Sequence, residues 1–451
     1  MTDEPVGPTL RRLAVPMMWG MASFLVINLA DTLFVGRLGA QELAAMAFTF
    51  PAVFFVLSVS FGLGAGASSV IARAAGSGDE SRVRRLATDS ILLALVAVVA
   101  VSLLGYFTID VFFGALGAGP ELLPLIREYM TIWYLSVGLV VVPMTGNNAL
   151  RALGDTKTPA RIMITVAVAN FILDPLLIFG LGPFPALGLQ GAALATAGAY
   201  VVGLVAAAWT FIVREKLLCP PDWRQLPASW KAILVIAVPA AFTSLLTPLA
   251  ASFVTWLAAQ QGSATVAAIG VAARVEGVAL IGVNALGSVL TPFMGQNLGA
   301  GRYDRIGEGQ RYSRRFAFLW GLGAAAILAA AAPFLAKAFS PDPTTQEQIR
   351  LLLWIVPVTY FAAGWLALAA NGANGLGNPK DAMILNLFRL LVAVLPAAWL
   401  GAMLAGAPGL YVGLAVGNLL SGAFSVWLLA QRVKGCQGNR PGTTPLAEPV
   451  A

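Results

Sequence analysis

Long apolar runs recur along the whole chain and determine the solvent in which it folds. Mostly apolar stretches of about 20 residues or more follow one another, and a helix of about 20 such residues spans the hydrocarbon core of a bilayer. Only 11% of the 451 residues are charged and the mean hydropathy is +0.81, whereas a soluble domain carries roughly 25% charged residues. These runs are too long and too continuous for the strands of a membrane barrel. The sequence therefore predicts an all-α polytopic membrane protein.

We predict twelve transmembrane helices, six in each half of the chain. They lie near residues 11–36, 43–72, 86–110, 121–150, 158–181, 187–213, 231–259, 264–297, 309–336, 346–374, 380–405 and 409–432.

The two halves of the chain match each other at a single offset of 223 residues. Residues 13–16 fall on 236–239, and residues 153–154 fall on 376–377. A fixed offset over this length indicates a duplicated unit, and an even number of spans gives both copies the same orientation in the membrane. The prediction is two pseudo-symmetric six-helix bundles, divided as follows: an N-terminal lobe at 1–213 that carries a cation-coupling site, a cytoplasmic linker at 214–230, a C-terminal lobe at 231–434 and a disordered cytoplasmic tail at 435–451.

The acidic residues in the predicted spans were not duplicated with the scaffold. Asp31 falls on Val254 at the repeat offset, and Asp174 falls on Ala397. A symmetric shell with an asymmetric charged site is typical of a membrane transporter.

Asp31 and Asp174 are the strongest candidates for functional residues. Asn28 precedes Asp31 by about one helical turn, and Asn170 precedes Asp174 by four residues, so each acid shares a helix face with an amide. Both acids lie in spans that run outward, so they could converge at one depth. An acid at membrane depth costs roughly 2.5–3.5 kcal/mol. The alternatives to a functional role are a paired structural acid or an acid in the interfacial zone.

A pair of carboxyl groups in the membrane could bind either of two ions. Two neighbouring carboxylates in a low dielectric cannot both ionise cheaply, so the pair could hold a proton near neutral pH. The same carboxylate and amide oxygens could ligate a hard cation such as Na⁺. The sequence leaves both possibilities open.

Two prolines in the first half are candidate hinges. Proline cannot donate to the carbonyl four residues earlier, so Pro175 frees the Phe171 carbonyl beside Asp174. Pro16 has the same effect in the first span. The alternative for each proline is a static kink.

The second half contains its own charged residues and the first half a glycine stripe. Arg274 and Glu276 lie two residues apart in the eighth span and so point to different faces, and Arg389 in the eleventh span is a candidate ion-pair partner for Glu276. Gly62-x-Gly64-x-Gly66 lies within a span, where small residues allow close helix approach, and is not a phosphate loop.

The distribution of basic residues predicts the orientation of the chain. Most of the 28 lysines and arginines fall at the ends and in the loops on one side. Under the positive-inside rule that side is the cytoplasm, both termini are cytoplasmic, and the chain is a multi-pass protein of the cell (inner) membrane. The net charge of +7 follows from this bias and does not indicate nucleic-acid binding.

The composition argues against an enzyme. The chain has no histidine, no HExxH and no GxSxG sequence, so the usual metal-ligand and nucleophile–base arrangements are missing. We expect no cofactor beyond a coupling ion, and we expect a monomer whose partners are the lipid bilayer and small-molecule organic substrates.

Several stretches together resemble the multidrug and toxic compound extrusion (MATE) family of transporters, and Ala273-Arg274-Val275-Glu276 is similar to its DinF-like branch. The other stretches are Asn28-Leu29-Ala30-Asp31, Val35-Gly36-Arg37-Leu38-Gly39, the run from Asn147 to Thr156, the run from Asn170 to Pro175, and the run from Gly191 to Thr196.

The resemblance implies a function and a set of site residues. Asp31, Asn170, Asp174 and Thr196 would form the cation site of the N-terminal lobe, and Pro16 would mark the point where helix 1 bends. It also implies that the protein is a secondary active antiporter that exports amphipathic, often cationic, drugs or toxic compounds in exchange for H⁺ or Na⁺ by alternating access.

Other kinds of protein remain as alternatives. A lipid-linked precursor flippase of the same superfamily would share the fold, although we would then expect a basic central cavity, whereas the basic residues here lie at the cytoplasmic edge. A receptor or channel fits poorly with a duplication that carries an acid pair in one copy.

Overall fold

The computed structural model describes residues 1–438, and all of the regular structure in this range is helical. The α-helices are α1 Val6–Gly36, α2 Ala40–Gly76, α3 Glu80–Ala115, α4 Leu123–Ser136, α5 Gly138–Leu153, α6 Lys157–Phe179, α7 Gly188–Trp209, α8 Leu226–Gln260, α9 Ser263–Ala279, α10 Ile281–Gly299, α11 Tyr303–Phe339, α12 Pro343–Ile355, α13 Tyr360–Gly375, α14 Pro379–Leu387 and α15 Leu395–Gly438. Two π-helical turns, Thr210–Arg214 and Phe388–Val394, and one 3₁₀ turn, Pro357–Thr359, complete the set.

These helices make twelve crossings of membrane length. Nine stretches in the described chain are long and apolar enough to span a bilayer, and two bent pairs, α4 with α5 and α9 with α10, raise the number to eleven. The last stretch, Pro379–Leu429, is interrupted by non-helical backbone at Ala405 and Gly406 and therefore comprises two crossings. The twelve-helix prediction is confirmed. The part of the predicted tail from residue 439 onward lies outside the described residues.

The chain forms two compact units that exchange the beginnings of two helices. The N-terminal unit is Trp19–Ala241, and the C-terminal unit combines Met1–Met18 with the described chain from Phe242. These bounds differ from lobes at 1–213 and 231–434, because the first part of α1 packs in the C-terminal unit and the first part of α8 packs in the N-terminal unit.

Polar contacts hold the start of α1 in the C-terminal unit. Arg302 forms an ion pair with Asp3 at 3.1 Å, and Arg305 donates to the Met1 carbonyl at 3.0 Å. The start of α8 is held in the N-terminal unit by Trp230, whose indole N–H donates to the Asp89 carbonyl at 3.0 Å. Helix α8 thus begins at Leu226, inside the segment predicted to be a linker.

The glycine stripe of α2 allows α8 to approach closely. A Cβ atom on Gly62 would lie 2.4 Å from the Ala237 carbonyl oxygen, and one on Gly66 would lie 2.5 Å from the Ile233 carbonyl oxygen. The two helix backbones can approach this closely only because these positions carry no side chain. The prediction that this stripe packs helices is confirmed.

The sharp breaks in the helices do not fall at the candidate hinge prolines. Pro16 lies inside α1 and Pro175 inside α6, and both helices continue through the proline. The two crossings that consist of a bent helix pair break at Val137 and Leu280 instead. The hinge roles of Pro16 and Pro175 therefore remain predictions about motion.

Candidate ion-coupling site

The second half of α1 lies along α6 within the N-terminal unit. At one level, a Cβ atom on Gly20 would lie 3.2 Å from the Cα atom of Ala160. At the other end, the ring of Phe34 packs against the rings of Phe171 and Phe179, with centroids 5.9 Å and 6.2 Å away. Later residues of α1 thus meet later residues of α6, so the two helices run in the same direction. This register places Asp31 beside Asp174.

The carboxyl groups of Asp31 and Asp174 interact directly. Each lies within hydrogen-bonding range of the other, and Asp174 is completely buried. Asn170, which is 2% exposed, donates from its amide nitrogen to Asp174 Oδ1 at 3.3 Å. The i, i+4 spacing on α6 therefore brings an amide and a carboxyl to the same face, as the sequence predicts.

Three oxygens at this site accept no hydrogen bond from the described residues. Asp31 Oδ1, Asn170 Oδ1 and Asp174 Oδ2 are enclosed, and none of them has a hydrogen-bond partner in the described part of the chain. Buried oxygens without donors cost about 1–3 kcal/mol each. A proton shared by the carboxyl groups would satisfy the two carboxyl oxygens, and a bound cation could contact all three.

Two tyrosines that sequence reasoning did not single out lie near the pair. Tyr129 on α4 is within electrostatic range of both acids, and Tyr200 on α7 is within range of Asp31. Both helices pack together in the N-terminal unit. Tyrosines in apolar helices are usually packing residues, so no sequence pattern marks these two as neighbours of the acids.

Two other residues predicted for the site bond within their own helices. The Thr196 hydroxyl on α7 donates to the Ala192 carbonyl at 3.0 Å, which leaves its lone pairs free to act as acceptors but provides no hydrogen for the carboxyls. Asn28 is exposed on α1 and donates to the Phe24 carbonyl at 2.8 Å. Their roles in ion binding remain predictions.

The C-terminal unit holds a separate polar cluster. Glu276 on α9 is within electrostatic range of Arg389, on the π-helical turn Phe388–Val394, and of the buried Tyr360. No ion pair within 4.0 Å joins Glu276 to Arg389 in the described chain. Arg274 is exposed and donates to the Gly270 carbonyl at 3.2 Å. The structure thus places Arg389, and not Arg274, with Glu276.

The N-terminal site is suited to binding a small hard cation or a proton. Its carboxyl groups can take up a proton, and its carboxyl and amide oxygens can ligate Na⁺. Among residues 1–438, no group of three or more acidic, histidine or cysteine side chains could hold a multivalent metal.

Twelve helices in two matching halves, with a pair of neighbouring acids in one half, define a polytopic membrane transporter. The family model for MatE matches the chain twice, at residues 16–176 and 239–400. The two matched segments begin 223 residues apart, which is the offset of the internal repeat. The chain belongs to the MATE family of transporters and is not an enzyme.

The relatives of this chain include a flavin nucleotide transporter and probable multidrug resistance proteins. The chain is 38% identical over 433 residues to the FAD transporter of Shewanella oneidensis, an alignment that covers 96% of each chain. It is 27% identical over 405 residues to the probable multidrug resistance protein NorM of Thermotoga maritima, covering 86% of this chain and 84% of the relative.

Solved structures share the fold over nearly the whole chain. The Vibrio cholerae MATE transporter VcmN in the bent form superposes with a TM-score of 0.91 at 31% identity, covering 96% of this chain and 98% of VcmN. A MOP superfamily transporter from Pyrococcus furiosus superposes with a TM-score of 0.90 at 25% identity, covering 96% of this chain and 97% of that transporter.

Proposed function

We propose that this protein is a secondary active antiporter that exports an organic molecule in exchange for H⁺ or Na⁺. The observation that supports this most is the direct interaction of the Asp31 and Asp174 carboxyls, with three enclosed oxygens that lack a donor among residues 1–438. Two carboxylates this close in a low dielectric remain ionised together only if a cation is bound between them. Without a cation, one of them takes up a proton.

The coupling follows from a difference in ion affinity between two conformations. A bound ion shifts a transporter between inward-open and outward-open states only if it binds one of them more tightly. We propose that ion binding at Asp31 and Asp174 changes the packing of α1 against α6, with Pro16 and Pro175 as the bending points. Both acids lie in one unit of one chain, which supports a functional monomer. The bias of the basic residues supports a protein of the cell membrane with both termini cytoplasmic.

The substrate has two candidates. The 38% identity to an FAD transporter over 96% of both chains favours a flavin dinucleotide, and the lower identity to multidrug resistance proteins keeps amphipathic drugs as the second candidate.

The test is transport by the purified protein in proteoliposomes under an imposed pH gradient or Na⁺ gradient. FAD and a cationic dye are supplied in parallel. We expect one of the gradients to drive substrate movement in the wild type and Asp174→Asn to abolish the gradient dependence, because the amide keeps the volume of the carboxyl but cannot release a proton.

The matched control is Glu42→Gln, an acid-to-amide change in the first turn of α2 outside the pair. It should transport at the wild-type rate. Equal gradient-driven transport by Asp174→Asn and the wild type would overturn the assignment of the coupling site. Movement of neither substrate, together with translocation of a lipid-linked precursor, would favour the flippase alternative.

A further inference from the structure

The N-terminal unit contains an arginine with no acidic partner at the end of α5. Arg151 donates from its guanidinium to Asn148 Oδ1, one turn earlier on the same helix. Among residues 1–438, its Nε atom is enclosed without a hydrogen-bond partner, and no carboxylate forms an ion pair with it within 4.0 Å. An arginine remains charged in proteins, and a desolvated charge without a counter-ion is unfavourable.

The packing around Asn148 does not depend on this positive charge. Asn148 fills the space opposite Gly64 of α2, where a Cβ atom would come within 2.3 Å of the amide nitrogen. The repeat contains the same arrangement, because Asn371 lies opposite Gly287, where a Cβ atom would come within 2.8 Å of the amide nitrogen. Both amides donate to the carbonyl four residues earlier.

Comparison of the two halves separates the shared packing contact from the charge that occurs in one half only. At the position that corresponds to Arg151, the second copy has the neutral residue Asn374. The glycine–asparagine contact occurs with and without a cation beside it. The charge of Arg151, like those of Asp31 and Asp174, thus belongs to one copy only and is not part of the shared packing.

A second donor without a partner lies on the neighbouring helix. The Ser68 hydroxyl of α2 is 3% exposed and has no hydrogen-bond partner among the described residues. Helices α2 and α5 run side by side in the same direction, since Val56 and Val141 line one small cavity and Gly64 meets Asn148 about two turns further along both helices. This register places Ser68, one turn beyond Gly64, at the level of Arg151.

We propose that Arg151, held by Asn148 and accompanied by Ser68, binds the oxygens of a phosphate group at the end of α5 that the charge bias assigns to the cytoplasm. Guanidinium and hydroxyl donors are suited to phosphate, and arginine can contact it through two N–H groups. The phosphate belongs either to a dinucleotide substrate, in which case the inference deepens the proposed export function, or to a lipid headgroup.

The test measures binding, not transport, by the full-length protein in nanodiscs of zwitterionic phosphatidylcholine. FAD and riboflavin share the fluorescent ring system, but only FAD carries a diphosphate, so fluorescence anisotropy reports the contribution of the phosphate. Arg151→Gln should weaken FAD binding about tenfold or more and leave riboflavin binding unchanged. Arg151→Lys should recover part of the loss.

Arg161→Gln is the matched control, because Arg161 is an exposed arginine near the start of the next helix. It should bind both flavins as the wild type does. A parallel arm adds phosphatidylglycerol to the nanodiscs. If this lipid raises the melting temperature of the wild type but not of Arg151→Gln, and FAD binding is the same in both, the phosphate comes from the lipid.

The proposal is wrong if Arg151→Gln and the wild type behave alike in both arms, or if the variant loses FAD and riboflavin binding equally. It is also wrong if the only effect is a lower melting temperature in every lipid, as expected for an arginine that merely stabilises a helix C-terminus. None of these outcomes depends on an ion gradient, so failure of the proposed antiport would be seen separately.

Discussion

Asp174 and two buried tyrosines show how much a single polar group in this protein depends on its partner. The Asp174 carboxyl receives one hydrogen bond from Asn170 and keeps one oxygen without a donor, a state that favours binding of an ion. Tyr360 is 1% exposed and its hydroxyl has no partner in the described chain. Tyr411 is fully buried, and its hydroxyl donates to Gln348 Oε1 at 3.0 Å.

The two tyrosines lead to opposite expectations for the same substitution. Tyr411→Phe removes a buried hydrogen bond and leaves Gln348 Oε1 without its donor, so it should lower the free energy of unfolding by about 1 kcal/mol. Tyr360→Phe removes a hydroxyl that has no bond to lose and should be neutral or stabilising. Thermal unfolding of both variants in one detergent measures the difference. A larger loss for Tyr360→Phe would show that its hydroxyl has a partner such as Glu276.

The sequence reveals acids in the membrane more readily than it reveals their neighbours. Asp31 and Asp174 could be found because a carboxyl at membrane depth is costly, and the contact of Asn170 with Asp174 follows from the i, i+4 geometry of a helix. Tyr129 and Tyr200 could not, because an aromatic ring in an apolar helix is normally a packing residue. Only the folded register of α1, α4, α6 and α7 brings them to the acids.

At the scale of helices, the same contact occurs in both halves with the large and small residues exchanged. Gly7 at the start of α1 lies against the ring of Tyr312, to which a Cβ atom would come within 3.0 Å. At the repeat offset Gly7 corresponds to Trp230, and Tyr312 corresponds to Asp89. The indole N–H of Trp230 donates a hydrogen bond to the Asp89 carbonyl at 3.0 Å. Each half thus fills this contact with one large ring, but from opposite helices.

Helix contacts through glycine give a second pair of opposite expectations. In Gly62→Ala the new methyl group would meet the Ala237 carbonyl at 2.4 Å, which the backbone cannot relieve without separating α2 from α8, so the variant should lose about 1–3 kcal/mol of stability. Gly323→Ala in α11 meets nothing within 4 Å and should gain about 0.5–1 kcal/mol from helix propensity. The unfolding temperatures of the two variants should therefore move in opposite directions. A loss for Gly323→Ala would indicate that a neighbour covers this face.

The two candidate hinge prolines proved a poor guide to where the helices break. Pro16 and Pro175 lie in continuous helices, whereas the bend between α9 and α10 falls at Leu280. A membrane proline leaves one carbonyl free, which neighbouring helices can satisfy without a break. A break at a leucine reflects the packing of both flanking segments, which no local pattern reports.

At the scale of the whole molecule, duplication allowed the number of crossings to be predicted but not the composition of the compact units. Self-similarity shows that each half repeats the other, and it does not show which copy the start of α1 or α8 packs against. The exchange at Met18 and Ala241 depends on contacts such as that between Arg302 and Asp3. Arg302 and Asp3 lie 299 residues apart in the chain, and the 223-residue repeat does not predict their contact.

The orientation of the molecule can be tested with fused reporters. Gly78 lies between α2 and α3, and Gly301 lies at the corresponding position of the second copy. The basic residues near both positions predict a cytoplasmic location. An alkaline phosphatase domain, which is active only outside the cytoplasm, should therefore be silent when fused after either residue. A fusion after Gly182, between α6 and α7, should be active, and the reverse pattern would invert the proposed topology.

The two halves of the molecule differ at the positions of the acid pair. Val254 and Ala397 occupy the repeat positions of Asp31 and Asp174, and neither side chain can bind an ion. If coupling resides in the N-terminal unit alone, lowering the external pH should change the distance between spin labels on the second half of α1 and on α6, measured in lipid by pulsed electron paramagnetic resonance. The change should vanish in the double variant Asp31→Asn, Asp174→Asn, because no carboxyl remains to take up a proton, and it should survive Glu276→Gln. A response that persists in the double variant and disappears with Glu276→Gln would place the switch in the polar cluster of Glu276, Arg389 and Tyr360.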